Sequence, residues 1–311
     1  MMTWEKIKQV FAPDARLPWM KSHAANPFPV ALHDGVYRIY FTCRDEDNRS
    51  HIAYVDIDFD NDFQLLGISE EPVLMPGSLG LFDDSGVAMG CMLNINACPH
   101  LYYLGWNLKQ TVPWMNTIGL AKFNSESQQF EKVSRAPVLD RSHEDPYSLS
   151  YPFILFDDGK YKMWYGSNLA WGKESYSMQH VIKYAESDDG IHWQRNHHIA
   201  IPLQHEGEYA ISKPFVIKEN DTFFMWYTYR GHGPISNYRL GFAVSKDGHH
   251  WERNDEDMGL DVSAEPAWDS DMLCYPSMLK HRGAWYLLYN GNGYGQTGFG
   301  VARLISDLPK I

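Results

Sequence analysis

The stretch Tyr161-Lys162-Met163-Trp164-Tyr165 returns along the chain. Its last aromatic has counterparts in Phe41, Tyr103, Tyr227 and Tyr289, so positions 41, 103, 165, 227 and 289 advance by 62 residues at each step. The neighbouring strings agree: Tyr37-Arg38-Ile39-Tyr40-Phe41, Leu101-Tyr102-Tyr103, Phe223-Phe224-Met225-Trp226-Tyr227 and Trp285-Tyr286-Leu287-Leu288-Tyr289. Short runs of aromatic and branched residues read as strands buried on both faces. Five copies at one period define a repeat architecture.

Each copy carries the same grammar. Asn26-Pro27-Phe28, Tyr151-Pro152-Phe153, Lys213-Pro214-Phe215 and Tyr275-Pro276-Ser277 are expected to open a strand, where the missing proline N–H costs no ladder bond. A turn, the aromatic strand and a third strand follow. Ser187-Asp188-Asp189-Gly190-Ile191-His192-Trp193 and Ser245-Lys246-Asp247-Gly248-His249-His250-Trp251 then announce a hairpin into a fourth, since Gly accepts the positive φ of a tight turn. Four antiparallel strands, five times over, predict an all-β, five-bladed β-propeller forming one domain over residues 1–311. The blades fall near 23–75, 84–140, 145–203, 208–262 and 269–304. The last copy lacks a fourth strand, but Trp4-Glu5-Lys6 matches Trp193-Gln194-Arg195 and Trp251-Glu252-Arg253. Residues 3–10 are therefore expected to complete that blade and remove two exposed sheet edges. The second copy breaks the pattern: Gly86 to Cys91 has no Pro and follows Phe82-Asp83-Asp84-Ser85.

Composition narrows the partners. A net charge of −12 argues against nucleic acid and anionic membranes. The four cysteines show no CxxC spacing and read as free thiols of a reducing compartment. No apolar run approaches membrane-spanning length and the first residues lack a signal-peptide core, so a cytoplasmic protein is expected. His197-His198 and His249-His250 have no carboxylate at metal-ligand spacing, and neither metal nor cofactor is expected. The absence of a Gly-x-Ser-x-Gly elbow leaves serine hydrolysis without support. Oligomeric state is not legible.

In a propeller the loops leading into the innermost strands crowd the funnel mouth. Carboxylates cluster there: Asp83 and Asp84, Glu144 and Asp145, Glu208, Asp269 and Asp271. Converging carboxylates split their pKa values into one acid and one base, as glycosyl transfer needs. Asp84 and Glu208 are the expected catalytic pair, with Asp269 tuning them; ordinary turn and cap roles are the alternative for any one of them. Arg44 with Asp45, Lys213, Arg230 and Arg239 form a basic set suited to phosphate or a carboxylated sugar. Trp106, Trp114, Trp171 and Trp268 are read as loop residues able to pack on a sugar ring, and His23, Asn26, Tyr275 and Asn290 complete the binding candidates.

The Ser-Asp-Gly-x-x-Trp hairpins, Pro-led strands and Met-Trp-Tyr strands resemble the five-bladed glycoside hydrolases, the clan of arabinanases, xylosidases and invertases, and the related mannoside phosphorylases. With Phe82-Asp83-Asp84-Ser85-Gly86 and Tyr289-Asn290-Gly291-Asn292-Gly293-Tyr294-Gly295, the chain is also similar to propellers encoded among bacterial surface-polysaccharide genes. The resemblance implies a carbohydrate ligand. In those hydrolases an Asp commonly precedes the first-blade Pro as base or nucleophile; here Asn26 stands there, and an amide cannot be a base. The expectation is thus a glycosidase-like enzyme. The alternatives are a phosphorylase or an enzyme on a phosphorylated or nucleotide-linked sugar, and a non-catalytic sugar-binding propeller.

Overall fold

The computed structural model describes residues 1–309. Its strands form antiparallel units of four. After β1 (Trp4–Phe11), the first unit is β2 (Ser22–His33), β3 (Val36–Arg44), β4 (Ser50–Asp58) and β5 (Gln64–Ile68). The second is β6 (Gly86–Ile95), β7 (Cys98–Leu108), β8 (Trp114–Asn124) and β9 (Gln129–Lys132). The third is β10 (Leu149–Asp157), β11 (Lys160–Trp171), β12 (Met178–Ser187) and β13 (Gln194–Ile201). The fourth is β14 (Glu208–Glu219), β15 (Thr222–Gly231), β16 (Arg239–Ser245) and β17 (Glu252–Arg253). The last is β18 (Cys274–His281), β19 (Ala284–Asn290) and β20 (Phe299–Leu304), completed by β1, which pairs antiparallel with β20 from Trp4↔Leu304 to Phe11↔Phe299.

Single parallel bridges, Ser50↔Gly86 and His180↔Ala210, join the first unit to the second and the third to the fourth. The first strands touch in succession, β2 with β6, β6 with β10, β10 with β14, β14 with β18, and β18 with β2. Asn290 ties the last unit to the first: its Nδ2 donates to the Ala24 carbonyl at 2.6 Å and its Oδ1 accepts the Asn26 N–H at 2.8 Å.

The repeated aromatics are the core. Phe41, Tyr103, Tyr165, Tyr227 and Tyr289 are buried, and so are their neighbours Tyr102, Trp164 and Trp226. Trp164 donates its indole N–H to the Gly248 carbonyl at 2.8 Å, and Tyr102, one period earlier, donates to the Gly190 carbonyl. The Asp-Gly hairpin of one unit thus accepts a hydrogen bond from the unit before it. Each hairpin is locally determined: Ser187 Oγ accepts the Gly190 N–H at 2.9 Å, Asp189 accepts those of Ile191 and His192 at 2.8 Å, and Gly190 supplies a φ of 74°.

The prolines do not open the strands as expected. Pro27, Pro152, Pro214 and Pro276 lie inside β2, β10, β14 and β18, where the pairing register shifts. A β-bulge leaves one residue out of the ladder, so a residue without an N–H is accommodated there. The residue before each Pro is left-handed: φ is 56° at Asn26, 31° at Tyr151, 54° at Lys213 and 55° at Tyr275. Non-glycine residues held there carry strain, and such strain gathers at functional positions. β6 bulges at the same place, with Gly90 instead of Pro.

Candidate functional site

The five bulged strands surround a cavity of about 500 Å³, a size that suits a small-molecule ligand. The 62-residue period explains its wall. Three residues past the first four of the five repeated aromatics stand Arg44, Trp106, Asn168 and Arg230, and all four line it. The third strands of the first three units add Ser50, Asn116 and His180 near their starts, and Tyr238 stands just ahead of that of the fourth. The bulges add Asn26, Tyr151 and Tyr275.

No Asp or Glu lines this cavity among the described residues. The two guanidiniums in it have no carboxylate within ion-pair distance among the described residues. Arg44 donates to Asn48 Oδ1 at 2.8 Å. Arg230 donates to the Tyr294 hydroxyl at 2.6 Å and lies over the rings of Tyr238, Tyr209 and Tyr294, with centroids 4.7, 5.2 and 5.6 Å away. Rings hold a cation through their quadrupoles without neutralising it. Asn26 Oδ1, Asn168 Oδ1, Trp171 Nε1 and Arg230 Nε are buried and make no hydrogen bond within the protein. Buried polar atoms are normally paired, so four of them on one cavity wall are groups for a ligand to satisfy. Burial, followed by the charge of Arg44, pushes the His23 imidazole down to about 4, which leaves it neutral at pH 7.

Of the residues singled out from sequence, His23, Asn26, Arg44, Trp106, Trp114, Trp171, Arg230 and Tyr275 line the cavity. Trp106, Trp114 and Trp171 belong to strand ends rather than loops, and Trp114 and Trp171 meet edge to face at 5.5 Å. Trp268 instead stacks on Tyr289, with centroids 5.2 Å apart, and is a packing residue.

The three carboxylates expected to converge do not reach this wall. Asp84 accepts hydrogen bonds from Gly80 N–H, Ser85 and Asn107. Burial pushes its carboxyl up, but those bonds outweigh burial and leave it below the ordinary value, unlike a general acid. Glu208 is gripped by both terminal nitrogens of Arg253, at 2.6 and 2.9 Å. Asp269 pairs with Lys6 at 2.7 Å and accepts the Tyr289 hydroxyl at 3.0 Å.

Four further candidates are also engaged elsewhere. Asp45 closes its own turn by accepting the N–H groups of Asp47 and Arg49, and it meets His51 at 3.0 Å. Lys213 is fully buried outside the cavity lining, and its ammonium donates to the Gly90 carbonyl at 2.9 Å. The glycine of the second unit's bulge answers to close packing: a Cβ at Gly90 would lie 2.4 Å from the Tyr102 carbonyl oxygen and 3.0 Å from Pro152 Cδ. Arg239 donates to the main-chain carbonyls of Tyr238 and Asp271. Asn290 is the tie between the last and first units. The Asn292 of the glycine-rich run caps the Asp271 and Met272 N–H groups.

Sequence reading missed Asn168, His180, Tyr151, Tyr238, Tyr294 and Ser150, all in the wall. Counting three past each aromatic finds Asn168, and the slot before each Pro finds Tyr151. Among the described residues no group of His, Cys, Asp or Glu is arranged to hold a metal, and no helix is long and apolar enough to cross a membrane.

No protein-family model matches the chain. It is 44% identical over 303 residues to the uncharacterized protein Rv1502 of Mycobacterium tuberculosis (strain H37Rv), an alignment covering 97% of this chain and 99% of that one. Among solved structures it is similar to a glycoside hydrolase with a TM-score of 0.74, at 16% identity, covering 99% of this chain and 95% of the other. A structure described under the GH130 family of mannoside phosphorylases, said to contain glycoside hydrolases that target β-1,2 mannosidic linkages in Candida mannan, superposes with a TM-score of 0.71. Its identity is 16%, over 97% of this chain and 93% of that one. At such identities these likenesses establish the fold: this chain has the architecture of the glycoside hydrolase-like propellers.

Proposed function

Because the chain belongs to the family of Mycobacterium tuberculosis Rv1502 and carries the glycoside hydrolase-like propeller fold, we propose that it acts on a carbohydrate bearing an anionic group, a phosphorylated or nucleotide-linked sugar. The five four-stranded units are the blades of one closed domain, and the cavity is its funnel. The observation that carries the reading is that Arg44 and Arg230 share one wall in which, among the described residues, there is no carboxylate and neither has an acidic partner. A chain with a net charge of −12 has acids to spare, and two half-buried guanidiniums left free of them suit an anion supplied by the ligand. Trp106, Trp171 and the tyrosines offer faces for a sugar or base. Hydrolysis of a neutral glycoside by a carboxylate pair is disfavoured, since Asp84, Glu208 and Asp269 are committed to other partners. The acidic surface and the four unpaired cysteines fit a cytoplasmic protein that binds neither nucleic acid nor membrane.

The test is a thermal-shift panel of sugar phosphates, nucleotide sugars, uronates and neutral oligosaccharides. A ligand at a hundredfold excess over its dissociation constant adds about 2.7 kcal/mol. A shift with phosphorylated sugars that Arg44→Ala abolishes is expected. A shift with neutral oligosaccharides alone overturns the proposal.

A further inference from the structure

One pair of cavity side chains is used by neither the carboxylates nor the guanidiniums. Ser150, beside the bulge of β10, places Oγ 2.9 Å from Nε2 of His180 on β12. The other ring nitrogen, Nδ1, lies 2.5 Å from the Ile211 main-chain carbonyl on β14. A carbonyl only accepts, so in the neutral ring Nδ1 carries the hydrogen and Nε2 is left to accept the serine hydroxyl. Burial pushes the imidazole down to about 4, so that neutral tautomer persists through pH 7. Nucleophile, base and a group that orients the base stand in sequence, an arrangement defined by geometry rather than by position in the chain.

Two features set the pair apart from ordinary packing. Gly166, opposite Ser150 on β11, has normal strand backbone, yet a Cβ there would lie 2.2 Å from Ser150 Oγ and 2.3 Å from His180 Cε1. The glycine is needed for the space the pair occupies. In addition, the positions at the same ladder register in the first, second and fourth units carry Ala25 with Ser50, Ala88 with Asn116 and Ser212 with Tyr238. Among these, only the third unit joins a hydroxyl to an imidazole. Both residues face the cavity, and the charge of Arg230 is felt at His180.

Building on the anionic-ligand reading of the same cavity, we propose that Ser150 and His180 form a nucleophile–base dyad that removes an O-acyl group from an anionic sugar. Ser150 Oγ adds to the ester carbonyl as its proton passes to His180 Nε2. The adduct collapses by breaking the bond to the sugar oxygen, which leaves with that proton. Water then adds to the acyl-serine and gives a proton to His180; Ser150 departs with that proton, and the carboxylic acid is released. Ester and water become alcohol and acid, and no other reactant is required. An acyl carbon is the electrophile such a dyad serves, whereas an acetal carbon calls for the carboxylates this wall lacks.

The test exposes the full-length protein to a fluorophosphonate probe, to p-nitrophenyl acetate and to an O-acetylated sugar phosphate. Mass spectrometry is expected to place the probe on Ser150. Ser150→Ala should abolish labelling and ester hydrolysis, and His180→Gln should slow both by about a hundredfold or more. Ser150→Cys, which keeps a hydrogen-bearing group toward His180, serves if the alanine variant fails to fold, and should likewise lose fluorophosphonate labelling. Ser150→Ala should still be stabilised by a non-acylated sugar phosphate, which separates loss of chemistry from loss of binding. Unlabelled Ser150, or ester hydrolysis unchanged in Ser150→Ala, overturns the dyad. Labelled Ser150 without stabilisation by any anionic sugar overturns the substrate class.

Discussion

Tyr165 donates its hydroxyl hydrogen to Asp145, 2.8 Å away and 20 residues earlier in the chain. The same bond runs from Tyr103 to Asp83 and from Tyr289 to Asp269, at 3.0 Å in each case. A cation from the outermost strand completes each clasp: Lys132, Arg195 and Lys6, each two residues past an aromatic (Phe130, Trp193, Trp4). The fourth unit has Gly207 at the periodic position and substitutes Asp255, which Tyr227 meets at 2.6 Å while Arg253 spans Asp255 and Glu208. The first unit has Phe41, without a hydroxyl, and Lys21 at the acidic position. These carboxylates hold the outer strand of a unit to its inner ones.

Asp145→Asn is therefore expected to cost stability rather than turnover. It leaves Lys183, at 2.8 Å, and Arg195, at 3.1 Å, without their shared buried anion. Breaking a buried pair in this way costs about 3–5 kcal/mol, whereas Tyr165→Phe, which removes one hydrogen bond, costs about 1–2 kcal/mol. Urea titration measures both. An unchanged midpoint in Asp145→Asn would sink the clasp.

Arg44 faces the cavity unpaired, so Arg44→Gln should leave the fold intact and weaken an anionic ligand by about 10- to 150-fold, the value of a charge-assisted hydrogen bond. It should also release His23. The charge of Arg44 adds to burial in holding that imidazole near 4, so its removal moves the titration upward toward 6.5. Following the His23 ring protons by NMR against pH checks this, and a titration that stays near 4 would separate His23 from Arg44.

The strand repeat was legible because each unit buries one aromatic at one register, and burial constrains residue type strongly. The site was less so. An Asp just ahead of an inner strand can face the axis or turn back to its own sheet, and the local sequence is the same in both cases. The signal that separates them is distant: a Tyr twenty residues later and a Lys or Arg on the fourth strand, as at Asp83, Asp145 and Asp269. Ser150 and His180 come from β10 and β12 and share no motif, so only the fold brings them together. Arg44 and Arg230 were found because each stands at the exit of a repeated aromatic strand, and the repeat carries both to one wall.

The N-terminal strand supplies three kinds of closure: the ladder to β20, the Lys6–Asp269 pair, and the Trp4 indole N–H donated to the Met258 carbonyl at 2.7 Å. Deleting residues 1–11 strips the clasp of the last unit and opens the β20 edge, an invitation to pairing between molecules. The truncated chain is expected to aggregate, and a synthetic peptide of those residues supplied during refolding should restore the soluble, cooperative unit. Light scattering with and without peptide decides it. A truncation that stays monomeric with its melting temperature unchanged would show β1 to be dispensable.

His180 makes stability fall as the solution is acidified through a window set by its own two pKa values. In the folded protein burial holds it at about 4, against 6.5 in the unfolded chain. Between those values the unfolded state binds the extra proton, so the contribution is complete above pH 6.5 and is lost as pH falls toward 4. At about 1.4 kcal/mol per unit, this one imidazole accounts for roughly 2–3 kcal/mol of destabilisation between pH 7 and pH 4.5. His180→Gln cannot titrate and should remove this share of the fall whatever its stability at pH 7, leaving the share of His23, which burial and Arg44 also hold at about 4. The carboxylates Asp145 and Asp255, held below their ordinary value, add their losses only at lower pH and leave this window clear. Urea unfolding at the two pH values, wild type against variant, measures the difference, and equal slopes would mean that His180 is already protonated in the fold.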